Sequence, residues 1–473
     1  MYKTKYIFKK IIKKSIDKIL LLKKLIANMR KYYNIDKELL YFVIISSMYE
    51  SIGFQFLYVI SIDKITRVFS SIHKELSKWK KLVLLGMNPL DALLYNALSS
   101  SSKKWRDFII NYITLQRIGG SAVEFFNRKV EDSLNEIKQM WKRYQENIVF
   151  VIEVFLITIF STIIIMIMTV SLNTSMNNML FITALFIITI TAFSILIIDR
   201  MAPTEIGYYS PKRYSIILSL LMLIIGYQLI DTGFLYHNNV VLRMVTLTTI
   251  TLIPLSIDNF IHYMINVKKD NDSILTVLDH IIASQRSGIQ LTKLKSTVNN
   301  ANSITQRIKK LFNKSLDDEE LSSFNYKERI LSSLIIGLKY VGLIPYEILL
   351  KLRNILGEIT GIENSTRKSL NILTLLTILL PSIIMIVLFQ LVNTILGIYK
   401  PAPIRGNFYA SMYLNNNTNV DIYVNIYLYS ILLAVSLNMI TSKAIDLSLR
   451  SYWRIHISLL LIVISHYLLT SFM

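Results

Sequence analysis

The sequence predicts an all-α, polytopic integral membrane protein with about seven transmembrane helices and two cytoplasmic helical bundles, the second a degenerate internal repeat of the first. Three observations predict it. Hydrophobic residues make up 53% of the 473-residue chain and gather into runs of bilayer length; about 20 apolar residues suffice to cross the hydrocarbon core as a helix. The chain carries a net charge of +21, which must be stored outside the bilayer. Two polar blocks, each ending in a pattern that leads straight into an apolar run, hold most of that charge.

The chain opens with a basic segment, residues 1–38, with 11 Lys or Arg among its first 33 residues and one acid, Asp17. It does not read as a cleavable signal peptide. Phe8, Ile11, Ile12, Ile16 and Ile19 recur at helical spacing, so it is a basic amphipathic helix. Such a helix either lies on an anionic membrane surface or packs on the module that follows. Residues 39–147 form the first bundle, 148–265 four spans, 266–370 the second bundle and 371–473 three more spans.

The predicted spans are Ile148–Val170, Met179–Ile198, Tyr214–Tyr236, Val240–Ile265, Asn371–Ile398, Ile422–Ile440 and Ile455–Phe472. Leu39–Ile60 is also apolar, but it carries Glu50, two serines and Gly53 and is read as the start of the first bundle. Orientation follows from Lys and Arg placement. With the N-terminus cytoplasmic and the C-terminus outside, only Arg243, Lys400 and Arg405 of the 52 basic residues leave the inner side.

The two blocks align. "YESIGFQFLYVIS" (Tyr49–Ser61) matches "SQRSGIQLTKLKS" (Ser284–Ser296), with Gly53 on Gly288 and Gln55 on Gln290. Gly53 lies 95 residues before its span (148 − 53) and Gly288 lies 83 before its own (371 − 288). Each block also has a late break before its final helix, "RIGGSAVEFF" and "KYVGLIPYEIL".

Helix punctuation is densest in "LLGMNPLDALL" and "RIGGSAVE". Gly86 suits a left-handed C-cap, Asn88 an N-cap, and Pro89 the first helical position. Ala92 permits close approach, with Leu93 beside it. Trp105, Phe108, Ile109, Tyr112 and Leu115 give the next helix an inward stripe. Gly119 and Gly120 end it, and Ser121 with Glu124 makes a capping box. From Ala122 one helix is expected to run to residue 170, roughly 70 Å long.

The set Leu84, Leu85, Gly86, Pro89, Ala92, Leu93, Gly119, Gly120 and Ser121, with Gly53 before it, resembles the type II secretion system F-like family. These are the membrane platform proteins of type IV pili, type II secretion and the archaellum, and the added spans look most like the archaeal branch. The second block lacks the Gly-x-Asn-Pro element and keeps only Gly342 and Pro345. The resemblance implies a cytoplasmic hexameric secretion ATPase and pilin or archaellin subunits as partners, a homodimer, the lipid bilayer as its setting and no direct contact with nucleic acid. On that reading Lys103, Lys104, Arg106, Arg117, Arg128 and Lys129 are the candidate ATPase-docking charges.

Catalytic signatures are missing from the sequence. None of the 14 glycines opens a phosphate-binding loop, the chain has no cysteine, and its six histidines are scattered. No enzyme activity, cofactor or metal is expected. Charges inside spans are costly and so often functional. Glu153, Asp231, Arg243 and Asp258 are these, with Asp231 and Arg243 able to pair across a short outer turn. A secondary transporter or channel subunit is the alternative function, and it requires midplane polar groups and broken helices. A prepilin-processing peptidase would need a Gly-Asp motif, which the chain lacks.

Overall fold

The computed structural model describes residues 34–171, 176–203, 222, 240–287, 324–341, 344–398, 416–447 and 453–471. Among them all regular structure is helical. They divide into two compact units, one drawn from 34–140 and 270–361, the other from 141–269 and 362–473. The blocks read as two bundles are therefore parts of a single unit.

That unit is built around α1 (34–51), a helix apolar on nearly every side and buried accordingly, with Tyr41, Phe42 and Ile45 fully enclosed. A helix without a polar face belongs in a core or a membrane. Here Asp36, Lys37, Glu38 and Glu50 lie on it and the helix stops before Gly53 (φ +92°). It is a core helix, and it begins by residue 34, inside the segment read as amphipathic. Around it pack α2 (Phe56–Ser61), α3 (Asp63–Thr66), α4 (Ser70–Leu84), α5 (Pro89–Ser99), α6 (Lys103–Ile118) and the start of α7 (Ala122–Ser171). Phe56 sits among Phe42, Phe108, Tyr112 and Phe126, with ring centroids 4.9–6.1 Å apart. Tilted and edge-on pairs of this kind add to the area they bury.

The second block contributes the end of α9 (Val240–Arg286), then α10 (Tyr326–Val341) and the start of α11 (Tyr346–Ile398). It is joined to the first at the middle of the core. Tyr326 stacks on Tyr41 at 4.5 Å, and the Tyr49 hydroxyl donates to the Ser333 carbonyl at 2.9 Å. Gly337 lies where a Cβ would overlap the Tyr49 ring. The Arg329 guanidinium meets the Glu38 carboxylate at 2.9 Å with both side chains almost fully enclosed. Glu38 also accepts from the Ser71 and Ile72 N–H groups at 2.8 and 3.0 Å. It thereby caps α4, whose own N-cap, Phe69, has no side-chain acceptor.

Among the described residues, four helices are long and apolar enough to cross a membrane: α7, α8 (Met176–Met201), α11 and α12 (Asn416–Asp446). Apolar stretches in α9 (Thr246–Ile261) and α13 (Trp453–Ser471) are shorter. The predicted span Tyr214–Tyr236 lies outside the described residues, apart from residue 222. In the second unit α12 is the most enclosed of the four, with 67% of its apolar stretch buried against 39%, 28% and 44% in the others. Phe160 on α7, Phe186 on α8 and Leu375 on α11 are exposed, a surface suited to lipid.

Polar side chains fasten α12 to its neighbours. Asn438 donates to the Thr377 carbonyl at 3.3 Å, Tyr144 to the Ala444 carbonyl at 2.6 Å, and Thr162 bonds Tyr429. Lys443 pairs with Asp199 at 2.6 Å, and Arg454 pairs with Asp446 through both oxygens. Nearby, His456 bridges Ser256 (2.8 Å) and the Thr249 carbonyl (2.7 Å).

Candidate docking face of the first helical module

The predicted punctuation forms one end of the first module. Gly86 sits at φ +90° after α4, its N–H donating to Val83 at 2.9 Å and the Met87 N–H to Leu82 at 3.2 Å. These two bonds make a Schellman closure, which a residue with a Cβ enters at a cost. The Asn88 side chain accepts from the Leu90 N–H at 2.9 Å, and Pro89 opens α5. The Trp79 indole donates to the Pro89 carbonyl at 2.9 Å, fixing the end of α4 against the start of α5. Ala92 and Leu93 are fully buried.

The second turn repeats this chemistry. Gly119 adopts φ +75°, with Gly119 N–H on Gln116 at 3.3 Å and Gly120 N–H on Leu115 at 3.0 Å. A Cβ at Gly120 would lie 2.7 Å from a Leu115 methyl. Ser121 accepts from the Glu124 N–H at 3.4 Å, which is half of the expected capping box. The Glu124 carboxylate lies instead 3.8 Å from Arg128. Arg117 pairs with Asp91 at 3.0 Å, so both turns sit at the same end of the module.

The candidate docking charges are mostly engaged within the module. Arg117 and Arg128 are paired as above, Lys104 pairs with Glu136, and Lys129 pairs with Asp132 at 3.0 Å. Arg106 donates to the Ser100 carbonyl at 3.3 Å. Lys103 is exposed at the start of α6. Exposed pairs of this kind contribute little to stability and remain able to exchange partners, but they do not form a free basic patch.

What sequence reasoning missed is the exposure of two of its own motif residues. Leu84 and Leu85, adjacent in the chain, are 85% and 83% exposed. Met87, Ile118 and Val123 on the same two turns are exposed as well. Single exposed leucines are ordinary, whereas a grouped set at one end of a module marks an interaction surface. The doublet's position directly before a C-capping glycine was the available signal: residues there leave the buried stripe of Ile72, Leu76 and Trp79.

Electrostatics around this end are mild. Lys80 bonds to Asp63 and holds that carboxyl below its usual range. Away from the tip, burial pushes the Glu50 carboxyl up, opposed by the Phe56 N–H that it accepts at 2.7 Å. No group of metal-ligating side chains occurs among the described residues.

The remaining predicted residues fall elsewhere. Gly288 lies outside the described residues, although α9 ends at Arg286, two residues before it, as α1 ends two before Gly53. Glu153 is exposed on α7 and Asp258 is buried on α9, so the two carboxylates have different surroundings. Asp231 and the Arg243 side chain lie outside the described residues, and with them the expected pair. Compared with known proteins, the chain matches no family model, no curated protein and no solved structure.

Proposed function

We propose that this chain is a platform protein of a type IV pilus-like filament machine in the cell membrane, with its N-terminus cytoplasmic and its C-terminus outside across seven spans. It would couple a cytoplasmic secretion ATPase to insertion of pilin or archaellin subunits, with no catalysis of its own. The observation that carries this reading is a paired layout. In each block a 16-residue helix, α6 or α10, precedes a helix of 50 or 53 residues, α7 or α11, which continues into an apolar stretch. A push on the helical modules has a continuous backbone along which to travel. The F-like resemblance of the Leu84–Leu93 and Gly119–Ser121 motifs gives the layout its functional content.

Deleting the gene in the source organism is expected to abolish surface filaments while the pilins are still synthesised and retained in the membrane. Filaments unchanged in number would overturn the proposal. A secondary transporter or channel subunit is the second reading, favoured by the buried Ser430, Asn438, Thr441 and Lys443 of α12. Solute flux into proteoliposomes of the purified chain would favour it.

A further inference from the structure

We infer that His456, Ser256 and the carbonyls of Thr249 and Ile253 form an exchangeable proton-binding site within the second unit. The site goes beyond the platform reading and stands without it. The His456 ring is buried in the first turns of α13 and meets α9 through both nitrogens. Its Nε2 lies 2.7 Å from the Thr249 carbonyl, and its Nδ1 lies 2.8 Å from the Ser256 hydroxyl. The same hydroxyl lies 2.8 Å from the Ile253 carbonyl. Pro254 falls between these contacts inside α9, where a proline removes a backbone donor and leaves acceptors in excess.

Proton count separates the two charge states. A carbonyl only accepts, so Nε2 carries a hydrogen in either state. With a neutral ring Nδ1 is an acceptor as well, and the single Ser256 proton faces both it and the Ile253 carbonyl. Three contacts then share two protons. When a proton binds Nδ1, that nitrogen donates to Ser256 and the hydroxyl turns to Ile253. Three contacts then have three protons, and every acceptor of the site is satisfied.

Neighbouring charges do not lock the proton in place. No carboxylate touches the ring among the described residues. Arg454 on α13 is held by both oxygens of Asp446 on α12, and Lys443 on α12 by Asp199 on α8. Asp258 on α9 is two residues past Ser256, which helical phase turns about 200° away; the His262 side chain lies outside the described residues. Farther along α13, His466 packs against Tyr427 of α12. Between α11 and α13 the contact is Ser458 on the Ile378 carbonyl, and α11 has no charged residue after Lys368. Without a carboxylate partner to fix it, the bound proton is free to leave.

The test uses the full chain in lipid nanodiscs, labelled with heavy nitrogen at histidine and titrated from about pH 8 to about pH 4. Nitrogen NMR separates a ring with hydrogen on Nε2 alone from one with hydrogen on both nitrogens. His456→Gln identifies the resonance; should that variant not fold, Ser256→Ala identifies it, since this hydroxyl bonds to no other histidine among the described residues. The wild type is expected to pass reversibly from the Nε2–H ring to the doubly protonated ring as pH falls. Ser256→Ala should lower the proton affinity about tenfold, because a charged donor loses its acceptor. Ser256→Thr keeps the hydroxyl and should keep the wild-type transition. A ring that stays singly protonated throughout, one that carries its hydrogen on Nδ1 alone, or a transition unmoved by Ser256→Ala would each overturn the site. The platform reading survives any of these results.

Discussion

The two blocks lead into their long helices by different local chemistry. In the first, α6 closes on a left-handed glycine, and Ser121 caps the start of α7. In the second, order is placed one helix earlier. Asn325 and Glu328 form a reciprocal capping box at the start of α10, at 2.9 and 3.0 Å. Before α11, Pro345 supplies only its carbonyl, to the Ile348 and Leu349 N–H groups. The first turn needs glycine for its backbone, whereas at the start of α11 the described contact is a carbonyl that any residue could supply. The sharply shaped turn is also the one carrying exposed leucines, so the first block presents a surface. The second contributes Tyr326, Arg329 and Ser333 to the shared core. The first block faces outward here and the second serves as internal support.

The largest test of that division is Arg329→Ala. It strips the partner from a Glu38 carboxylate enclosed in the core and leaves an unpaired buried charge, which costs about 3–5 kcal/mol. Equilibrium unfolding of the full chain in mixed micelles should show a loss of that order. Pairing Arg329→Met with Glu38→Leu is expected to recover part of it, although the α4 cap that Glu38 provides stays lost. A loss below about 1 kcal/mol for Arg329→Ala would mean that the second block is not a support.

The next test separates the two turns. Gly119→Ala places a Cβ in open space but forces an L residue to φ +75°, so its cost is backbone alone, about 1–2 kcal/mol. Pro345→Ala relaxes only the unfolded chain and should cost under about 1 kcal/mol. Equal losses, read by the same unfolding measurement, would erase the distinction between the two turns.

How much of this was legible follows from the range of each interaction. Gly86, Asn88 and Gly119 were readable because capping is settled within six residues of chain. The buried face of α6 was readable from the spacing of Trp105, Phe108, Ile109 and Tyr112. Glu38–Arg329 was not, because its partners are 291 residues apart and a lone Glu beside a basic segment reads as solvated. Lys104, Arg117 and Lys129 looked like a docking patch because sequence displays charges without their tertiary partners. The exposure of Leu84 and Leu85 was hidden for the same reason: helical periodicity assigns a face but not the point at which neighbouring helices stop covering it. The polar contacts of α12 were hidden too, since Asn438 and Thr441 gain their meaning only from Thr377 on another helix.

The smallest effect probes the aligned turn, where one block has a carboxyl and the other an amide. The register that sets Gly53 on Gly288 sets Glu50 on Gln285. The Glu50 carboxylate holds the Phe56 N–H, while the Gln285 side-chain oxygen is buried with no hydrogen-bond partner among the described residues. Burial raises the Glu50 carboxyl above its ordinary value near 4.5. The folded chain therefore keeps a proton that the unfolded chain has released. The resulting stabilisation is fully present below the ordinary value and is lost as pH rises through the raised one. Glu50→Gln copies the second block's residue and keeps an acceptor for Phe56, but it cannot titrate. Relative to this variant, the wild type should gain thermal stability as pH falls from 7 toward 4.5. A constant difference between the two melting temperatures across that range would show that burial does not raise the carboxyl in the folded chain. The first block's turn would then be solvated like an ordinary surface turn.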